Sequence, residues 1–377
     1  MNSLIHSLLC KQNLFSGSFL KAEPKTKPQN SLTEEIFIGK DSEAQLKALL
    51  DNRAFKKVVV LVDENTQRHC YPLVKAILPV GHHVIQIQSG EENKTLATCE
   101  HVWRQLTELG LDRWALVVNL GGGVLTDLGG FCASLYKRGI RFLNVPTTLL
   151  AQVDASVGGK TGVDFMGFKN HLGVFQEPVA VWVNPQFLQT VDQRQIKSGY
   201  AEMIKHWLIM DAAMFREQRY VGLFTEDWTA LIEHSINIKS KVVTADPLEN
   251  GLRKILNFGH TLGHAVESYF LEKPGQMLLH GEAIAVGMVC EAWLSVQRGM
   301  LPIEELEQLE SFIFSIYEKV SLPETDITQI SERCLHDKKN SGATINCTLL
   351  QKIGEAVYDQ PITLSEAQSA LRYYQTL

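Results

Sequence analysis

The feature that most constrains this chain is a set of apolar runs that do not alternate. Residues 57–63 read KVVVLVD, 115–120 read ALVVNL and 179–183 read VAVWV. A strand with one wet face alternates apolar and polar side chains; a run without alternation must be covered on both faces. Two further strand-like runs, 83–88 (HVIQIQ) and 142–145, lie between them, and 96–109 carries helical periodicity. Strand–helix–strand order with doubly covered strands predicts an α/β unit with a mostly parallel, Rossmann-like sheet over 34–190. After Thr190 strand-like runs become rare. Segments 199–210, 228–244, 256–270, 281–297 and 303–320 read as helices, so 191–377 is predicted to be a mainly α-helical half, with a cleft between the halves. Residues 1–33 read as an N-terminal extension, with an organelle-targeting segment as the alternative.

Composition narrows the function classes. The 377 residues carry a net charge of −6 and only 8% aromatics, so no global basic field or stacking platform draws nucleic acid, and an anionic ligand needs a local cluster. No run nears the roughly 18 apolar residues of a membrane span. Seven scattered cysteines without a CxxC suit free thiols in a reducing cytoplasm.

Several motifs bear chemistry. Gly121, Gly122 and Gly123 follow a strand and precede a helical segment, the context of a phosphate cradle, where glycines let the backbone approach and helix N–H groups face the anion. The GxGxxG pattern is not met, since Thr126 holds the sixth position, and a tight turn explains the glycines equally well. Asp63, Glu64 and Asn65 close the first run, where an acid can bind ribose hydroxyls or cap a helix. Gly158-Gly159-Lys160-Thr161 ends like a phosphate-binding loop of ATPases, but Asp154 stands where the first glycine belongs, which rejects that motif while leaving a site suited to an oxyanion.

His260 and His264 stand four apart on one predicted helical face, His280 follows, and Glu202 lies in GYAEMIKH. Three histidines and a glutamate suffice for a divalent metal with three protein ligands; spacing alone nominates His260 and His264 equally, and helix capping or core satisfaction is the structural alternative. Lys94, Arg138, Lys160, Lys169, Lys205, Lys239, Arg253, Lys338 and Lys339 cluster around these motifs, which suggests a small polyanionic substrate, although each alone would pass for a surface charge.

With these residues in view, the chain resembles the 3-dehydroquinate synthase family from about 57 to 354. The blocks run in order: GEENK (90–94), GGGVLTDLGGFCAS (121–134), RGIRFLNVPTTLLAQVDASVGGKTGVD (138–164), KNHLG (169–173), GYAEMIKH (199–206), DPLENGLRKILNFGHTLGHAVES (246–268), LHGEAIAVGM (279–288) and DKKN (337–340). The resemblance implies NAD and one divalent metal, zinc or cobalt. It implies Glu202, His260 and His280 as metal ligands and His264 as a substrate contact, overruling the spacing argument. It places the dinucleotide at Asp63, Asn65, Glu91, Lys94, Gly122, Gly123, Asp127, Thr147, Thr148, Lys160 and Lys169. The substrate is implied at Asp154, Lys160, Asn170, Lys205, Lys239, Arg253, Asn257 and His264, with Lys338 or Lys339 joining from the tail. Arg138 matches an arginine that reaches the neighbouring subunit's site, so a homodimer is implied.

The family's reaction converts 3-deoxy-D-arabino-heptulosonate 7-phosphate to 3-dehydroquinate and phosphate. The metal polarises the C5 alcohol while NAD takes hydride, phosphate leaves by elimination, hydride returns, and an aldol closes the ring. Rival readings are cyclases making deoxy-inosose or valiolone rings, a metal- and NAD-dependent polyol-phosphate dehydrogenase, and a non-catalytic binding relative. Arg253, Asn257 and His264 favour dehydroquinate synthesis over the other cyclases, and the intact ligand set opposes the binding relative.

Overall fold

Apolar runs become strands here because two layers cover them. In the computed structural model, which describes residues 35–39, 42–53, 55–223, 225, 227–273, 275–336 and 344–377, the strands are β1 (Glu35–Ile38), β2 (Val58–Asp63), β3 (His83–Ile87), β4 (Leu116–Gly121), β5 (Arg141–Pro146), β6 (Lys160–Phe165), β7 (Phe168–Phe175), β8 (Ala180–Val183), β9 (Ile345–Lys352) and β10 (Glu355–Ile362). The predicted extension and Lys338 and Lys339 lie outside the described residues. Along β2, Val58, Val60 and Val62 enter one apolar core with Leu116, Val118 and Leu120 of β4. Val59, Leu61 and Val117 enter a second core on the opposite face. Period-two geometry thus sends one unbroken run into two cores. β3 departs from that reading. It pairs only with β2 at the sheet edge, and only Ile85 and Ile87 of its side chains are buried, with His83 and Gln86 exposed.

Six strands form a parallel sheet in the order β1-β8-β5-β4-β2-β3. From β2 the chain steps outward to β3, then crosses to the other side of β2 and proceeds through β4, β5 and β8. The direction of winding reverses between β2 and β4, and in open parallel sheets such a reversal leaves a crevice at the carboxyl ends of the strands. Asp63 and Gly121 stand at those ends.

Two antiparallel hairpins add to what the sequence predicts. β6 and β7 join through Met166 and Gly167, with φ of 51° and 81°, a two-residue turn of the kind whose twist suits a hairpin. β9 and β10 pair near the C-terminus. Both were hidden because β7 mixes apolar and polar residues and is mostly exposed, and because β9 lies in an otherwise helical stretch.

The predicted helices are present with shifted ends. Gln193–Met210 starts six residues before its predicted start, and Thr229–Ala245, His280–Gln297 and Ile303–Ile316 follow. One expectation is corrected: 256–270 is not a continuous helix. Leu252–Asn257 forms a 3₁₀ turn, Gly259 adopts φ 77°, and the α-helix begins only at His260. A left-handed residue cannot sit inside a right-handed helix. The break is fixed by close packing: a Cβ on Gly287 would lie 1.9 Å from the Gly259 carbonyl oxygen, and one on Gly281 would lie 2.1 Å from that of Ser198. His280–Gln297 therefore lies nearly in backbone contact with both His260–Leu271 and Gln193–Met210.

Glu291 completes this junction. It is fully buried and accepts hydrogen bonds from the backbone N–H groups of Gly259 (2.7 Å), Thr261 (2.9 Å) and Leu262 (3.1 Å). A carboxylate satisfying the orphan donors of a helix N-terminus is doubly favoured, by hydrogen bonding and by the helix dipole. Glu291→Ala would strand three buried donors, each worth about 1–3 kcal/mol. Chemical denaturation should show a loss of at least about 3 kcal/mol; an unchanged midpoint would contradict this role.

The six cysteines among the described residues are free and buried. Among the described residues, no helix is long and apolar enough to cross a membrane.

Candidate active site

A cleft of about 1350 Å³ opens where the carboxyl ends of the parallel strands face the helical half. Of the described residues that the family resemblance places at the site, all line this cleft except Glu202 and Arg138, while Glu64, Gly121, Gly158, Gly159 and Thr161 of the motifs do not line it. Glu202 is fully buried beneath it, and Arg138 is exposed elsewhere on the surface.

The strand side carries the glycines. Gly122 is the N-terminal flanking residue of the helix Gly123–Leu135, and no side chain caps that end. Its first N–H groups are thus open to an anion in the cleft. Asp63 resolves the choice between ribose ligand and cap in part. It caps the helix Glu64–His69, accepting from Thr66 N at 2.7 Å while its own N–H donates to Thr66 Oγ1 at 2.9 Å, and it also lines the cleft. Deeper in, Lys94 is buried and donates to Asp127 Oδ2 (2.7 Å) and Asn170 Oδ1 (2.5 Å).

The helical side gathers the metal-type donors. Ser198, Glu202 and Lys205 share one face of Gln193–Met210, and His260, His264 and Glu267 share one face of His260–Leu271. Glu202 Oε1 lies 3.4 Å from His260 Nε2 and 3.3 Å from His280 Nε2, while its other oxygen accepts from Lys205. His260 Nδ1 is 3.0 Å from the Phe258 carbonyl oxygen, and His280 Nδ1 is 3.3 Å from Glu267 Oε2. Each imidazole therefore has its outer nitrogen engaged and its inner nitrogen turned to the carboxylate, the arrangement that divalent metals exploit. The His264 ring stands 5.0 Å from that of His260 and 5.8 Å from that of His280. Burial alone would raise the Glu202 carboxyl, but the Lys205 ammonium and both imidazoles outweigh it and hold it well below the usual carboxylate range. Burial likewise pulls His260 below its ordinary value, towards the neutral form a metal needs.

Two ligand groupings fit by distance. One is His260, His264 and His280; the other is Asp154, Glu202 and His206. The second is already rich in cations. Lys239 donates to Asp154 Oδ1 and to its carbonyl oxygen, both at 2.6 Å, and Lys205 lies 3.9 Å from the same carboxylate. Asp154 sits in a π-helical turn, Ala151–Ala155, that this lysine locks. A second cation there would face two buried ammonium groups, whereas one at Glu202 Oε1 and the two Nε2 atoms would face only that of Lys205, held on the carboxylate's other oxygen.

The remaining cations surround this centre. Lys160 is held by Glu249, whose other oxygen accepts from Asn257 Nδ2 at 2.9 Å. Arg253, buried, donates to the carbonyls of Pro247 (2.6 Å) and Gly158 (2.8 Å). Sequence reasoning missed Glu249, Glu267 and Glu291. Glu267 had a signal, since 260, 264 and 267 follow i, i+4, i+7. Glu249 and Glu291 had none that distinguishes them from other acids.

The family model described as 3-dehydroquinate synthase N-terminal matches residues 84–198, and that described as 3-dehydroquinate synthase C-terminal matches 199–340. A 3-dehydroquinate synthase of Parabacteroides distasonis is 39% identical over 345 residues, spanning 90% of this chain and 98% of that protein. The chain belongs to the 3-dehydroquinate synthase family. Its function is that family's: synthesis of 3-dehydroquinate in the shikimate pathway. A second 3-dehydroquinate synthase, from Campylobacter concisus, is 40% identical over 77% of this chain and 84% of its own length. Among solved structures, the 2-epi-5-epi-valiolone synthase ValA of Streptomyces hygroscopicus, with NAD+ and Zn2+ bound, superposes with a TM-score of 0.79 at 26% identity, covering 93% of this chain and 99% of that one. A 2-deoxy-scyllo-inosose synthase complexed with carbaglucose-6-phosphate, NAD+ and Co2+ shares the fold at TM-score 0.79 and 24% identity, covering 90% and 96% of the two chains.

Proposed function

We propose that this dehydroquinate synthase works as a phosphate-eliminating lyase on 3-deoxy-D-arabino-heptulosonate 7-phosphate, with NAD at the carboxyl ends of β2, β4 and β5 and one divalent ion among Glu202, His260 and His280. The observation that carries the reading is Glu202 Oε1 lying within 3.4 Å of two inward-facing imidazole nitrogens at the base of the cleft. The donor set suits zinc or cobalt, two nitrogens and one carboxylate oxygen leaving a position for substrate. The cradle suits a dinucleotide: it lies at the winding reversal, with open N–H groups beside Gly122. When bound, NAD supplies reversible hydride acceptance and the metal polarises the substrate alcohol.

The chain's own residues supply positioning and charge. Lys160, Lys205, Lys239 and Arg253 converge on the cleft with carboxylates or carbonyls already holding them in place. A doubly anionic substrate thus meets fixed cations and spends little on ordering them. His264 and Asn257 lie beside this cluster to donate to substrate oxygens, with Asp154 and Asn170 in the same wall. Few general bases are needed, because the substrate's own phosphate can carry the C6 proton. Incubation with the heptulosonate phosphate and NAD tests the reading. Phosphate should appear with 3-dehydroquinate and without net NADH, whereas accumulating NADH would point to a polyol-phosphate dehydrogenase.

We also assign the protein to the cytoplasm and to a homodimer in which Arg138 completes the partner's site. Its exposure, away from its own chain's cleft, supports that geometry. Mixing an Arg138→Ala chain with a His260→Ala chain should restore activity through heterodimers carrying one intact site. No recovery after proven subunit exchange would contradict the assignment.

A further inference from the structure

We propose that Glu267 is a positioning residue that sets the tautomer and aim of His280, and that Lys169 anchors it from the dinucleotide side. The proposal rests on the metal reading above. Glu267 is buried, and both of its oxygens are engaged in opposite directions. Oε2 lies 3.3 Å from His280 Nδ1, and Oε1 accepts from Lys169 Nζ at 2.7 Å. Lys169 stands on β7 and also lies 3.4 Å from Glu91 Oε1, beyond the end of β3. A chain of ion pairs and hydrogen bonds therefore runs from the strand side of the cleft to His280 and on to Glu202.

This matters because a metal-bound imidazole must be neutral, with its single proton on the nitrogen remote from the ion. A carboxylate at Nδ1 holds the proton there, turns Nε2 inward and makes the ring a stronger donor. His260 has only the Phe258 carbonyl in the equivalent place, so the two histidines differ in basicity. With Lys169 pinning its far oxygen, Glu267 is held at one rotamer and its effect on His280 is fixed before any ligand enters.

The test is zinc affinity of the metal-free full-length chain, read by competition with a chromophoric chelator, alongside the visible spectrum of the cobalt(II) form. Glu267→Gln should weaken zinc binding by about 10–100-fold, the usual effect of losing such a partner, and should shift the cobalt bands. Glu267→Asp, which keeps the charge at a longer reach, should recover part of the affinity. It also decides the matter if the amide variant does not fold, since an unchanged affinity and spectrum in Glu267→Asp would then overturn the proposal. Unchanged zinc affinity and cobalt spectrum in a folded Glu267→Gln, while His280→Ala loses the ion, would overturn this inference alone. Metal retained in His280→Ala would instead overturn the metal reading beneath it.

Discussion

His260→Ala should lose its metal and nearly all turnover, whereas His264→Ala should keep the metal and lose only substrate handling. The two side chains are one helical turn apart and look equivalent by spacing, yet Glu202 Oε1 reaches 3.4 Å from His260 Nε2, and the Phe258 carbonyl engages the ring's other nitrogen. Removing a ligand should cost more than the roughly 10–100-fold in metal affinity that loss of an outer partner costs. Losing the several kcal/mol of charge stabilisation that a metal gives should cut turnover by about 10³-fold or more. His264→Ala should lower kcat/KM by about ten- to a hundredfold, the worth of one hydrogen bond to a charged group. Metal analysis beside kinetics checks both. If the two variants lose the ion alike, all three histidines are ligands, as their mutual distances alone would allow.

The second large effect is expected at the cradle. Gly122→Val would place an isopropyl group where the open N–H groups of Gly123–Leu135 face the cleft, with its Cβ already 3.1 Å from Thr148 Cγ2. Loss of two hydrogen bonds to a charged pyrophosphate is worth about 3 kcal/mol or more, over a hundredfold in NAD affinity. Metal occupancy should be unaffected, since the substitution lies on the strand side. Calorimetric titration with NAD reads the first expectation and metal analysis the second. Unchanged NAD affinity would move the dinucleotide away from β4.

The parts legible in the sequence are those that rest on local pattern. The unbroken run of β2 needs two covering layers, and the structure gives it two cores. The glycines after β4 announce a close backbone approach, and most of the described residues that resemble the family's motifs line one cleft, with Glu202 beneath it and Arg138 elsewhere. What stayed hidden depends on partners far along the chain. The stop at Gly259 is dictated by Gly287 and Glu291, twenty-eight and thirty-two residues later, so helical periodicity reads straight through it. Glu267 acquires its role only when β7 brings Lys169 to it. The hairpin of β6 and β7 is set by a turn whose first residue, Met166, gives no compositional sign of positive φ. Asp154 gave a signal only by standing where a phosphate-loop glycine was absent; its π-turn and its lock by Lys239 are tertiary facts.

Anomalous diffraction at the zinc edge from crystals of the loaded protein locates the ion. One peak is expected at roughly 2.0–2.2 Å from a Glu202 carboxylate oxygen and from the Nε2 atoms of His260 and His280. A peak among Asp154, Glu202 and His206, or one that takes His264 in place of either histidine, would contradict that placement.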